Sequence, residues 1–375
     1  MIPYPEHEPD MRLGGLRRAM GEYGLSSLLV FSRQWKSECI HYVSNYKLIG
    51  PEAFAVIPLD AEPVLFISEA GDIDRAKNEG WIDEVRILCG ECDDSPIELA
   101  GAYGNKSGIV GLEIMNARQY GALEKHIGGG IVNALPLVDA ASKIKSPWER
   151  ELMRFGGGLA DLGFRAELAA ARPGLREFEL AAEINCSMMA AGADDNFQMF
   201  SAGKNLDCMH VPRDNITLEG DLLLAEITPF VGSFNYAVQL CRTVKIGGAS
   251  QLEKEKYGIL VEALEESLKL VKPGVKIKEI ALKMNSIIGA AGYEKYCHPP
   301  YMRSRGHNFG LGQFELTDDN DDILRPGMAM VVHPNQMIPE IGYLACGETV
   351  IVTETGSERL SKLPPKLYET EVSAL

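Results

Sequence analysis

The 375-residue chain is long for one core, and its 46% hydrophobic and 24% charged residues are those of an ordinary globular protein, so two domains are expected. The formal net charge of −16 argues against nucleic acid and anionic membrane as partners, since both are held by clustered Lys and Arg. No apolar run approaches the roughly 20 residues that span a bilayer. Met1–Glu8 has neither the basic nor the apolar region of a signal peptide, so a cytoplasmic protein is expected. The 8 cysteines have no framework spacing and read as free thiols of a reducing compartment. Cys89-Gly90-Glu91-Cys92 has zinc-type spacing but lacks two further ligands.

Asp10 caps a predicted helix with Leu13, Leu16 and Met20 on one face. Leu25–Phe31, Ala53–Pro58, Pro63–Ile67 and Gly108–Ile114 read as strands, with helices near 70–79 and 116–126. This alternation predicts an α/β domain with a mixed sheet over residues 1–143. Ser146-Pro147-Trp148-Glu149 is a capping box with proline at the first helical position, and it opens a second domain, 146–375. Its first helix carries Leu152, Phe155, Leu159 and Leu162 and stops at Arg172-Pro173-Gly174, where proline cannot continue the ladder.

That second domain repeats itself. Arg172-Pro173-Gly174-Leu175-Arg176 reads against Lys272-Pro273-Gly274-Val275-Lys276, and Ala190-Ala191-Gly192 against Ala290-Ala291-Gly292. Gly220 and Gly327 then each precede a strand, and Glu226 and His333 each lie six residues past their glycine. Predicted strands at 221–228, 234–245, 307–314, 328–334 and 348–354 complete an α+β domain, two helix pairs on one face of a curved antiparallel sheet. Three of the 7 histidines, His210, His307 and His333, fall at strand ends or glycine-flanked turns of this domain. With Glu226 they supply the imidazole and carboxylate that proton transfer at neutral pH requires.

Glu149-Arg150-Glu151-Leu152-Met153, the two Pro-Gly-linked helix pairs, Arg242-Thr243-Val244, Gly306-His307-Asn308-Phe309-Gly310, Arg325-Pro326-Gly327-Met328 and Glu348-Thr349-Val350 resemble the "pita-bread" family of creatinase, aminopeptidase P, prolidase and methionine aminopeptidase. The resemblance covers 146–360, and residues 1–143 resemble more loosely the creatinase-type N-terminal domain. It implies a homodimer. The family's metalloenzymes hold two divalent metals with two aspartates, a histidine and two glutamates. Those positions are here Glu226, Gln239, His307, His333 and Gly347. The two bridging positions, Gln239 and Gly347, supply no anionic bridge, so a two-metal site is not expected. His307, His333 and Glu226 together remain a set that holds a single Fe(II) or Zn(II).

Creatinase, which works without a metal, implies His210 as general acid/base. Its two glutamates that hold a guanidinium fall at His333 and near Cys241. The resulting expectation is a creatinase-like hydrolase of a C–N bond in a small, polar, non-peptidic nitrogenous compound, with no cofactor. In that reading His210, Glu226, His307 and His333 are catalytic, and Gln239, Cys241, Arg303, Arg305, Phe314 and Glu348 contact substrate. Phe314 stands where the family's metallopeptidases carry a further histidine. A lyase using the same base and acid, a single-metal enzyme, and a non-catalytic binding module are the alternatives. Cys208, Cys241 and Cys346, close in sequence to the site, read as small buried fillers rather than nucleophiles.

Overall fold

The computed structural model describes residues 2–90 and 93–370, so Cys92 of the zinc-type spacing lies outside the described residues. They divide into two compact units, each with its own sheet.

One unit is Ile2–Lys143 with Gly310–Gly312. Its strands are β1 (Ser27–Arg33), β2 (Glu52–Pro58), β3 (Val64–Ile67), β4 (Glu84–Ile87), β5 (Ser107–Val110) and β6 (Ile131–Asn133), in the order β4-β3-β2-β1-β5-β6. The β1–β2 and β2–β3 pairs are antiparallel and the others parallel, a mixed sheet. Both faces are covered. Leu28 and Val30 of β1 enter one core, and Leu29 and Phe31 enter the other, as the two-residue period of a strand dictates. The helices are α1 (Glu8–Tyr23), α2 (Glu38–Ser44), α3 (Ile73–Glu79), α4 (Ser95–Ala102), α5 (Ala117–His126) and α6 (Leu135–Ser142). Helices α2, α4 and α6 were not expected; at seven or eight residues they are too short to show a period. The expected strand to Ile114 ends at Val110, because Gly111 has φ 92 and turns the chain away.

The other unit is Ile144–Phe309 with residues 313–370. It contains α7 (Pro147–Ala170), α8 (Glu177–Ala190), β7 (Asp195–Gly203), β8 (Leu222–Phe230), β9 (Leu240–Lys245), α9 (Gln251–Leu268), α10 (Ile277–Ile288), β10 (Gly306–His307), β11 (Ala329–Val332), β12 (Gln336–Ile338), β13 (Gly342–Leu344), β14 (Gly347–Val352), β15 (Ser357–Arg359) and β16 (Tyr368–Glu369). The large sheet runs β10-β11-β14-β9-β8-β7, and β12–β13 is a separate ribbon. Leu260, Leu264, Ile280 and Met284 of α9 and α10 pack with Leu222, Leu224, Met330 and Val350 of the sheet in one core. The protein is α+β, with the duplicated helix-pair-on-sheet arrangement the repeats predict.

The duplication is visible bond by bond. Gly174 N–H donates to Thr217 O at 2.8 Å, and Gly274 N–H to Leu324 O at 3.0 Å. Gly220 N–H donates to Ile246 O at 2.9 Å, and Gly327 N–H to Val352 O at 2.8 Å. Both Gly192 (φ 104) and Gly292 (φ 98) take the left-handed turn that ends a helix. The expected strand over 307–314 contracts to Gly306–His307. Asn308 closes the segment on itself, its Oδ1 accepting from Phe314 N–H at 2.7 Å, and Gly310 and Gly312 both have positive φ. The nine-residue β7 was not expected, since Asp195–Gly203 mixes polar and apolar residues without a clear alternation. Among the described residues no helix is long and apolar enough to cross a membrane.

Glu167 of α7 is buried, and neither carboxylate oxygen has a hydrogen-bond partner. Burial therefore holds its carboxyl well above the ordinary range. The folded chain keeps a proton that the unfolded chain releases near pH ~4.3. Stability present at low pH is thus lost as pH rises toward the folded value. Urea unfolding from pH 5 to 8 should show the wild type losing about 1.4 kcal/mol per pH unit relative to Glu167→Gln, until that folded value is passed. Parallel pH profiles for the two proteins would contradict this.

Candidate active site

Glu226 lies in mid-strand on β8, paired across the sheet with Met199 of β7 and Cys241 of β9. Its Oε1 accepts from Asn335 Nδ2–H at 2.9 Å and from the Cys241 thiol at 3.7 Å. Burial raises its carboxyl above the ordinary range, against the pull of those two donors. His307 ends β10, and His333 follows β11 directly. Their rings meet edge to face with centroids 5.4 Å apart. Burial pushes the His333 imidazole down to about 3, with His307 beside it acting in the same direction. Burial also lowers His307. Both rings are therefore neutral near pH 7, each able to donate one N–H. His333 Nδ1 is buried and has no hydrogen-bond partner. Phe309 packs on His307 at 4.8 Å and on Phe234 at 5.5 Å, and Phe234 on Phe230 at 5.0 Å, so an aromatic row leads away from the histidines.

His210 lies in the segment between β7 and β8. Its Nδ1–H donates to Val211 O at 2.7 Å and lies 3.7 Å from Glu177 Oε2. Its backbone N–H donates to Ser201 Oγ at 2.9 Å, and Phe200 N–H donates to its carbonyl at 2.7 Å. Glu177, fully buried at the start of α8, accepts from Ala202 N–H, Arg213 N–H and Asn215 Nδ2–H and so holds this loop. None of His210's hydrogen bonds reaches Glu226, His307 or His333.

The residues expected to touch substrate are placed in three ways. Gln239 and Cys241 are buried beside Glu226, with Gln239 Nε2–H donating to Cys241 Sγ at 3.2 Å. Arg305 (1% exposed) and Glu348 (0% exposed) are internal supports: Arg305 donates to Asn285, Asn335 and Gln336, and Glu348 accepts from Arg242 and Arg359. Arg303 is on the surface, its side chain 79% exposed and paired with Glu315, while Phe314 is buried in the core behind the sheet. Sequence reasoning missed Asn335, which binds Glu226, and Tyr343, whose hydroxyl is pushed up by burial and then by Glu226. Asn335 stands two residues past His333, and that spacing was its only available signal.

A pair of divalent cations of the kind the resemblance implies would need bridging carboxylates at positions 239 and 347. Gln239 is neutral and engaged with Cys241. At Gly347 a Cβ would stand 2.4 Å from the Cβ of His333, so no side chain fits there without moving the strand end. Among the described residues no three His, Cys, Asp or Glu side chains are gathered as a cation requires, and this includes the set of Glu226, His307 and His333. The residues present do not fit the paired-cation group.

A two-unit α+β chain whose second unit duplicates a helix pair on an antiparallel sheet has the architecture of the pita-bread fold. Residues 151–354 match the model of "Metallopeptidase family M24", and residues 12–142 that of the "Creatinase/Prolidase N-terminal domain". The chain belongs to metallopeptidase family M24. It is 27% identical over 369 residues to an uncharacterized peptidase, YqhT, of Bacillus subtilis, covering 95% of this chain and 99% of that one. It is 27% identical over 275 residues to an Xaa-Pro dipeptidase of Pyrococcus horikoshii, covering 71% of this chain and 77% of that one. The fold matches the solved Xaa-Pro dipeptidase from Bacillus anthracis with TM-score 0.83 at 24% identity, covering 96% of this chain and 99% of that one.

These findings correct two expectations. A metal-independent hydrolase of a non-peptidic nitrogen compound was expected, whereas the chain matches a metallopeptidase family and these relatives are a peptidase and Xaa-Pro dipeptidases. The expectation of no cofactor, with a single Fe(II) or Zn(II) as the exception, falls with it, because the family's chemistry is that of metallopeptidases. That expectation weighted the altered ligand positions over the family's substrate chemistry.

The internal supports can be tested directly. Glu348 is the carboxylate partner of the fully buried Arg242. Removing one partner of such a pair leaves an uncompensated charge. Glu348→Ala should lower unfolding stability by about 3–5 kcal/mol in urea titrations. A loss below about 1 kcal/mol would show the pair to be dispensable, as exposed pairs are.

Proposed function

We propose that this chain is a peptide-bond hydrolase that takes a short peptide at Glu226, His307 and His333, acting as a homodimer. The observation that carries this reading is one buried carboxylate of raised basicity, held by Asn335 two residues past His333, with the neutral rings of His333 and His307 edge to face, on the scaffold of an M24 chain. Glu226 accepts a proton from the attacking water, and a stronger base suits that step. A neutral His307 or His333 donates N–H to the carbonyl oxygen as negative charge develops on it, without adding a charge of its own. The proton held by Glu226 then passes to the leaving nitrogen as the C–N bond breaks. Xaa-Pro dipeptides are the first substrates to try, because the named relatives include Xaa-Pro dipeptidases. The family resemblance supports the homodimer.

The purified full-length protein should release free amino acids from Xaa-Pro dipeptides, read by amine-reactive detection, in buffer with and without added Mn(II), Co(II) or Zn(II). Glu226→Gln should lower kcat/KM by roughly 10²–10⁴-fold, the range of a general base. Failure to cleave any Xaa-Pro or other dipeptide under all these conditions would sink the proposal.

A further inference from the structure

The two oxygens of Glu226 are not equivalent. Oε1 accepts both of the carboxylate's hydrogen bonds, from Asn335 Nδ2–H at 2.9 Å and from the Cys241 thiol at 3.7 Å. Among the described residues no hydrogen bond reaches Oε2. The orientation of Asn335 is itself forced. Its Oδ1 must face Cys346 N–H, which donates to it at 2.8 Å, so its NH₂ group must face Glu226. Asn335 is 2% exposed, and its backbone carbonyl accepts from Arg305 Nη1–H at 2.9 Å.

Arg305 is 1% exposed and has three neutral acceptors: Asn335 O, Asn285 Oδ1 at 2.7 Å and Gln336 Oε1 at 2.9 Å. A buried guanidinium without a carboxylate partner is costly in itself. Arg242, the other large buried arginine, has Glu348. What Arg305 accomplishes is geometric. Its planar fork ties the end of α10, through Asn285, to the 335–336 segment, and its own carbonyl accepts from His333 N–H at 3.0 Å.

We propose that Asn335 is the positioning residue of this site, clamping Glu226 through Oε1 so that Oε2 alone faces the substrate. Arg305 fixes the backbone from which Asn335 reaches. This inference rests on the hydrolase reading for its consequence in turnover, but the clamp itself is a statement about where one carboxylate points. Neither an expanded spacing nor a charge can replace the clamp. Asn335→Gln carries its amide one methylene too far, and Asn335→Asp sets an acceptor against an acceptor.

The test is a double-mutant cycle on Xaa-Pro dipeptide cleavage. Asn335→Leu should lower kcat by about 100-fold, the scale of an ångström-level misplacement, with KM changed by less than about threefold. In a Glu226→Gln background the same change should add nothing, since Asn335 acts only through Glu226. Multiplicative losses in the double variant would overturn the proposal, as they would show an effect on the fold at large. Should Asn335→Leu fail to fold, Asn335→Asp, which keeps the acceptor for Cys346 N–H, replaces it in the same cycle. If the wild type cleaves no dipeptide, the hydrolase reading falls while the clamp is still decided by crystal structures of the wild type and Asn335→Asp. A Glu226 side chain that keeps its rotamer in the variant would overturn the clamp, and one that turns away would sustain it.

Discussion

Arg242 holds the seam of the second unit. The two halves of the duplication join where β9 meets β14, and that ladder has only two paired positions, Cys241 with Gly347 and Leu240 with Glu348. So short a ladder would not by itself hold two half-domains in register. The fully buried Arg242 guanidinium adds donors to Cys241 O, Gly347 O, Leu363 O and the Glu348 carboxylate. Threonines flank it on both sides. Thr349 Oγ1 accepts from Gln239 N–H and donates to Gln239 O, and Thr243 Oγ1 does the same with the backbone of Ala345. Side chains thus extend the pairing where the backbone ladder stops.

The site depends on that seam because its members come from both halves. Glu226 belongs to the first half, and His307, His333 and Asn335 to the second. Gly347, in the seam, lets the His333 backbone approach so closely that a Cβ would collide. One glycine therefore both closes the strand end over the site and removes a carboxylate that the family resemblance would place there. The groups that hydrogen-bond Glu226 are one neutral amide and a thiol. The Glu226 carboxyl is raised by burial, and the cost of burying it is offset only in part by its two hydrogen bonds.

The sequence carried the architecture clearly where spacing repeats. The Pro-Gly breaks, the capping box at Ser146 and the glycine-to-strand intervals are local instructions, and each appears in the structure as a helix end, a cap or a turn. It carried the short helices α2, α4 and α6 poorly, because seven residues do not establish a period. The substrate class was misread from altered ligand positions, and relatedness over the whole chain corrected it.

By itself the sequence determined two domains, a duplicated second one, and the pairing of Glu226 with His333 as equivalents, since all of these follow from residue order. Only the tertiary structure decided that Arg305 and Glu348 are buried, and that His210 bonds to Val211 near Glu177. It also decided that Asn335 reaches Glu226 across a gap of 109 residues. Burial and the direction of a side chain depend on what folds against it, and no interval along the chain encodes that.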